Sequence, residues 1–314
     1  MAAGQFSAGG FRHEAVFYRD WAGYQSAVLA FVQEGLARAE PVLVAVPGPV
    51  AKVIHDGLDG ETSEVAYADM TTLGRNPGRV IPAIWDFAER HGGGPVRFVS
   101  DLAWPGRSAA EIGEVAAHEA MINQAFGATP MTVLCPYDIG QLAPQVISGA
   151  GRIHPFLRTA GEVQASADFV RVVEPSPGLP PPPAGARRVA ITSDLRSIRS
   201  FVAAEARQAG LSEDRVADLV LAVGEVAANT IRHAGASGTL LAWTTGTEII
   251  CQASDRGQIR DPLAGRRRPP ETGGLGLWVV NQVCDLVELR SGPVGTVIRM
   301  HMLLDLGPET GGRP

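Results

Sequence analysis

Residues 219–235, LVLAVGEVAANTIRHAG, put chemistry on a segment that otherwise reads as core. Glu225, Asn229 and His233 fall at i, i+4 and i+8, so an α-helix stacks all three along one stripe. Around them Leu219, Val220, Val223, Val226, Ala227 and Ile231 give enough apolar surface to bury most of that helix against a sheet. A carboxylate, an amide and an imidazole on such a helix need either a ligand or local hydrogen bonds, and this window alone leaves both open.

The residues downstream weigh on the choice. Two strands, residues 237–245 and 247–255, are expected to meet in a hairpin at Gly246, and the second runs into Asp255-Arg256-Gly257. A carboxylate at a strand end can accept from an exocyclic amine, as on adenine, and Gly257 lets a ring approach. Residues 258–272, QIRDPLAGRRRPPET, have no helical or strand period, and a loop of that length in a compact domain is usually a lid. Within it Arg266, Arg267 and Arg268 can reach phosphate oxygens, or else form a solvated basic loop. Then Gly273-Gly274-Leu275-Gly276-Leu277 leads into an expected helix, LWVVNQVCDLV at 277–287. Glycines before a helix N-terminus let exposed N–H groups and the positive end of the dipole meet an anion. Upstream, residues 187–194 read as a strand, Asp194 caps a helix running to about 208, Gly210 ends it, and Ser212 caps the next.

In this order and spacing the motifs resemble the GHKL ATPase family and, within it, the anti-sigma-factor serine kinases. The likeness covers residues 187–305: EVAANTIRHAG matches the N box, DRG and GGLGLWVV the two glycine boxes, and GTVIRM at 295–300 the closing strand. It implies an α+β two-layer Bergerat ATPase domain that binds ATP and Mg²⁺. Asn229 would ligate the metal, Glu225 would be general base, Asp255 would read the adenine amine and Thr296 would support that contact. Arg266, Arg267, Arg268, Gly273, Gly274, Leu275, Gly276 and Leu277 would surround the phosphates. The implied partners are a sigma factor and a small α/β anti-sigma-factor antagonist with an acceptor serine, and a homodimer is implied as well. One departure stands out: Gln258-Ile259 follow Gly257 where the family usually continues to a second glycine, which bears on the lid hinge. The alternatives are a non-catalytic ATP-binding partner switch and a sensor histidine kinase. The latter lacks its two-helix phosphoacceptor hairpin, and His118-Glu119 reads as solvated helix surface.

The rest of the chain fits a two-domain protein. A length of 314 residues, 45% hydrophobic and 19% charged, suits two soluble domains, and the net charge of −6 argues against a general nucleic-acid binder. No apolar run reaches a membrane span, so a cytoplasmic location is expected. Cys135, Cys251 and Cys284 are odd in number and widely spaced, which indicates neither a disulfide framework nor a zinc site. Residues 173–186 contain EPSPGLPPPPAGA, a stiff proline-rich spacer, and the tail at 306–314 is expected to be disordered.

Before the spacer, apolar strands at 13–18, 41–47, 63–70, 95–102 and 131–138 alternate with helical segments at 20–39, 78–91 and 108–126. That pattern implies an α/β domain with a mostly parallel sheet covered on both faces, whose ligands bind beyond the carboxyl strand ends, near Asp101, Trp104, Cys135, Tyr137 and Asp138. The turn at 47–53, PGPVAKV, is not a phosphate loop: two prolines remove donors, and no Ser or Thr follows Lys52. The segment at 13–47, together with LCPYD and His154-Pro155, resembles the MEDS sensory domain over residues 11–172. That family is a diverged relative of the recombinase-like ATPase fold, and the likeness implies sensing of an unknown small-molecule ligand. Cys135 reads either as a buried strand-end cysteine beside a capping Asp138 or as part of that ligand's pocket.

Overall fold

The computed structural model describes residues 10–58, 64–159, 162–170, 178–233, 238–267 and 274–304. The chain divides into two compact units between Ser176 and Pro177, within the proline-rich stretch. The tail expected at 306–314 lies outside the described residues.

The first unit runs β1 (Arg12–Tyr18), α1 (Trp21–Leu36), β2 (Val42–Val46), α2 (Gly48–Asp56), β3 (Val65–Asp69), α3 (Met70–Leu73), α4 (Val80–Arg90), β4 (Val96–Ser100), α5 (Ala109–Phe126), β5 (Met131–Asp138), α6 (Pro144–Ile153), β6 (Phe156–Thr159) and β7 (Glu162–Ala165). Its seven strands lie in the order β3-β2-β4-β5-β1-β6-β7, parallel except for β7 against β6. Every residue of β2 and of β4 is buried, as continuous apolar strands between two helical layers should be. The β6–β7 hairpin was not anticipated, because its short strands carry charge and little alternation. Where a phosphate loop would sit, α2 starts directly at Gly48, and the Gly48 amide donates to Asp69 Oδ1 at 3.2 Å. A carboxylate thus occupies the helix N-terminus that an anionic phosphate would need.

The second unit runs β8 (Arg187–Ile191), α7 (Leu195–Ala209), α8 (Glu213–His233), β9 (Gly238–Thr244), β10 (Glu248–Asp255), α9 (Leu275–Val283), β11 (Leu286–Gly292) and β12 (Gly295–Leu303). Its sheet is antiparallel throughout, in the order β11-β12-β10-β9-β8. Alternate residues Ile249, Cys251 and Ala253 of β10 and Ile298, Met300 and Met302 of β12 share one core with Val223, Val226 and Ala227 of α8. Period-two strands and a period-3.6 helix thereby present one apolar face each, giving two layers. Asp194 caps α7 by accepting from the Arg196 and Ser197 amides, and Gly210 ends that helix in the left-handed conformation at φ 95°.

One sequence expectation needs correcting here. The helix placed at 277–287 begins two residues earlier, at Leu275, and stops at Val283; residues 286–292 are a strand. The apolar run hid a switch of period: Val287 faces the core while Glu288, on the opposite face, meets His301 of β12. Among the described residues no helix is long and apolar enough to cross a membrane.

Candidate functional site

The polar stripe of α8 meets the second glycine box at Gly276. A β-carbon built there would lie 2.9 Å from Glu225 Oε2 and 3.1 Å from Asn229 Nδ2, so only glycine lets the first turn of α9 come this close. Gly274, at φ 89°, is the N-cap that starts α9, and no side chain caps that end. Its first amides therefore lie at a helix N-terminus without a side-chain cap among the described residues, beside a carboxylate and an amide. Glu225 and Asn229 are half-buried, whereas His233, one turn further, is exposed.

Asp255 ends β10 opposite Thr296 of β12. Its Oδ2 accepts from Thr230 Oγ1 at 2.6 Å and its Oδ1 from the Gly257 amide at 2.7 Å. Thr296 Oγ1 donates to the Gly257 carbonyl at 2.8 Å and lies 2.7 Å from Ser291 Oγ. Ser291 Oγ also accepts from the Ile259 amide at 2.8 Å, and Ile259 packs against the core. The segment Gln258-Ile259, where a second glycine would be usual, is thus anchored by a strand hydroxyl and by apolar contact. Gly295 permits this closeness: at φ 131°, a β-carbon there would come within 2.2 Å of the Asp255 carbonyl.

Thr230 and Ser291 are partners that sequence reading missed. Thr230 continues the core stripe of Val223, Val226 and Ala227, so its position reads as packing; a hydroxyl on that stripe was the available signal.

Of the lid, residues 258–267 are described, while Arg268 and Gly273 lie outside the described residues. Gly265, at φ 74°, packs against Leu277 and Asn281, and Asn281 Nδ2 donates to its carbonyl at 3.1 Å. Leu263 and Arg266 are buried, and Arg267 is exposed. The described part of the lid is therefore moored to α9, next to Leu275, Gly276 and Leu277.

The first unit holds a second polar gathering. The pair His118-Glu119, read from sequence as solvated helix surface, is buried at 0% and 1% exposure. Helix α5 packs on the sheet face that carries His13 and Cys135, and Glu119 Oε2 reaches His13 Nε2 at 3.0 Å and Cys135 Sγ at 3.3 Å. Cys135 is three residues inside the end of β5, paired with Ala15, so it faces α5 and not the strand-end rim. His154, the C-cap of α6, completes the group, its ring centroid 4.0 Å from that of His13. Burial, with His154 alongside, brings His13 down to about 4, so the ring is neutral at pH 7. Asp138 accepts from the Gly140 and Gln141 amides, a structural cap. At the neighbouring strand end burial raises Asp101 to about 6, although the Tyr24 hydroxyl donates to it at 2.8 Å.

An antiparallel sheet backed by three helices, with a polar stripe, an Asp-x-Gly turn and a glycine-led helix at one end, defines the second unit as a histidine kinase-like ATPase domain, and residues 189–302 match the family of that description. Residues 12–155 match the MEDS family, described as the MEthanogen/methylotroph, DcmR Sensory domain. Over 114 residues the chain is 32% identical to the anti-sigma F factors of Thermoanaerobacter sp. (strain X514) and Thermoanaerobacter pseudethanolicus (strain ATCC 33223 / 39E), covering 80% of each relative and 32% of this chain. The solved RsbU and RsbW domains of Rv1364c from Mycobacterium tuberculosis overlay with a TM-score of 0.30 at 19% identity, over 38% of this chain and 32% of that one. The chain belongs to the anti-sigma F factor family of histidine kinase-like ATPases and carries that module behind a MEDS domain.

Proposed function

We propose that the second domain binds Mg-ATP and phosphorylates a serine on a small α/β antagonist protein, thereby controlling its hold on a sigma factor, with the first domain setting the response. The observation that carries this reading is the approach of Gly276 to Glu225 and Asn229, which sets a carboxylate and an amide beside the N-terminus of α9. A side chain at 276 would collide with both, and a glycine that keeps these groups beside a helix N-terminus fits a nucleotide phosphate chain.

When bound, Mg-ATP supplies an activated terminal phosphoryl group whose charge the metal offsets. The amide oxygen of Asn229 is a hard ligand suited to that metal. Glu225, one turn before it, takes the proton of the attacking serine hydroxyl. Amides at the start of α9 would hold the phosphate oxygens, and Arg267, exposed on the lid, would join them. Asp255 keeps lone pairs beyond those used by Thr230 and Gly257, which suits an exocyclic amine.

The test is transfer of label from γ-labelled ATP to a candidate antagonist. Glu225→Ala abolishes transfer and leaves ATP binding within about threefold, whereas Asn229→Ala weakens Mg-ATP binding about tenfold or more, the worth of one charge-assisted contact. ATP binding without transfer to any antagonist leaves the non-catalytic switch standing. Acid-labile label on the protein itself points to a histidine kinase, for which His118 is buried and His233 exposed.

A further inference from the structure

His13, Glu119, Cys135 and His154 come from β1, α5, β5 and the end of α6, and one potential ligand atom from each lies within 4.8 Å of the other three. All four are at most 1% exposed, so bulk solvent does not satisfy their polar atoms. Their protons can be placed from their outer partners. Asn123 Nδ2 donates to the Ile153 carbonyl at 2.9 Å, which turns its Oδ1 toward His13 Nδ1 at 3.1 Å; that nitrogen therefore carries hydrogen. His154 Nδ1 lies 2.8 Å from the Ala150 carbonyl, which only accepts, so it carries hydrogen as well.

Both rings consequently turn Nε2 inward. Glu119 Oε2 sits 3.0 Å from one and 3.6 Å from the other, and His154 Nε2 has no hydrogen-bond partner among the described residues. Cys135 Sγ lies 3.3 Å from both His13 Nε2 and Glu119 Oε2. If both rings are neutral, the group itself holds a single thiol hydrogen for four electron-pair donors. Protonating both rings instead would place two cations, centroids 4.0 Å apart, around one carboxylate in a fully buried site.

We propose that His13, Glu119, Cys135 and His154 bind a zinc ion in a closed tetrahedral site that ties β1, α5, β5 and the end of α6 together. Zinc with bonds of about 2.0–2.3 Å has ligands roughly 3.3–3.8 Å apart, and the separations here, from 3.0 Å to 4.8 Å, bracket that edge. Two imidazoles, a thiolate and a carboxylate form a set of borderline softness that favours zinc over magnesium or calcium. The Nδ1 contacts to Asn123 and Ala150 hold both rings in the metal-binding tautomer. Four protein ligands leave no coordination position open, so the ion holds structure and does not activate water. Binding releases the Cys135 proton to solvent, since the thiolate is the ligand. The spacing of the cysteines could not reveal such a site, because three of its four ligands are not cysteine.

Full-length chain stripped by chelator and offered zinc alone is expected to retain one equivalent through gel filtration; cobalt in its place gives a thiolate-to-metal charge-transfer band. Cys135→Ala removes the band. His154→Asn, which keeps a donor for the Ala150 carbonyl but loses the inward nitrogen, weakens zinc binding at least tenfold with the circular dichroism of the apo chain unchanged. Asn123→Ala, which only frees the His13 ring, weakens it by about 10- to 100-fold. Failure of the wild type to hold zinc, a preference for iron over zinc, or zinc retained undiminished by both Cys135→Ala and His154→Asn overturns the proposal.

Discussion

Each domain gathers polar side chains from several elements, but His13, Glu119, Cys135 and His154 close on one another inside the first, while Glu225, Asn229 and Asp255 stay half-buried in the second. The closed group is built by side chains: two rings, a thiol and a carboxylate meet across a parallel sheet and its covering helix, oriented by Asn123 and Ala150. The open group is built by backbone: glycines at 276 and 295 admit close approaches that any β-carbon would block. A closed set turns its donor atoms toward one another. An open one keeps lone pairs and amides in reserve for something that arrives from outside.

Imidazoles sharpen the contrast. His13, desolvated by burial beside a second ring that shares its one carboxylate, falls to about 4, whereas His301 of β12 lies between two carboxylates, Glu248 Oε2 and Glu288 Oε2, each at 3.0 Å. Burial alone would lower His301, but the hydrogen bonds and charges of Glu248 and Glu288 outweigh it and raise it to about 9, with Arg299 near Glu288 on the same face.

The largest expected effect tests whether backbone closeness really sets the open site. Gly295→Val adds a β-carbon 2.2 Å from the Asp255 carbonyl at a φ of 131°. Strain and overpacking together should cost about 4 kcal/mol. Hydrogen exchange of the β12 amides and the urea midpoint read this out; a variant within about 0.5 kcal/mol of wild type would sink the idea. Next comes pH. Because the folded pKa of His301 is raised, its contribution is complete below its unfolded value near 6.5 and disappears as pH rises through about 9. At about 1.4 kcal/mol for each unit, the loss across that window is on the order of 2–3 kcal/mol. His301→Gln should flatten the slope, and a wild type whose stability is level from pH 6.5 to 9 would contradict the charged-ring reading. Smallest is Thr230→Val, which deletes the 2.6 Å bond to Asp255 while keeping the packing. ATP affinity should fall about tenfold, for a hydrogen bond to a charged group worth roughly 1.5 kcal/mol; an unchanged dissociation constant would remove Thr230 from the site.

The open site was legible because its determinants are local. Helical spacing aligned Glu225 with Asn229, a strand end offered Asp255, and glycines announced the start of α9; each is a statement about a few consecutive residues. The same locality failed at residues 284–292, where an apolar run continued past the helix and only strand pairing with β12 decided the period. It failed too at Thr230, whose place on the core stripe concealed a polar task.

The alternation of strands and helices, the two-domain division and the character of the second domain's motifs were thus determined by the sequence by itself, since periodicity and turn chemistry act over short stretches. Only the tertiary structure decided that Glu119 is buried and not solvated, because that depends on which face of α5 meets the sheet. It alone also joined residues 13 and 154, which no local pattern relates: parallel pairing sets β1 beside both β5 and β6, and burial brings the two rings to a centroid distance of 4.0 Å.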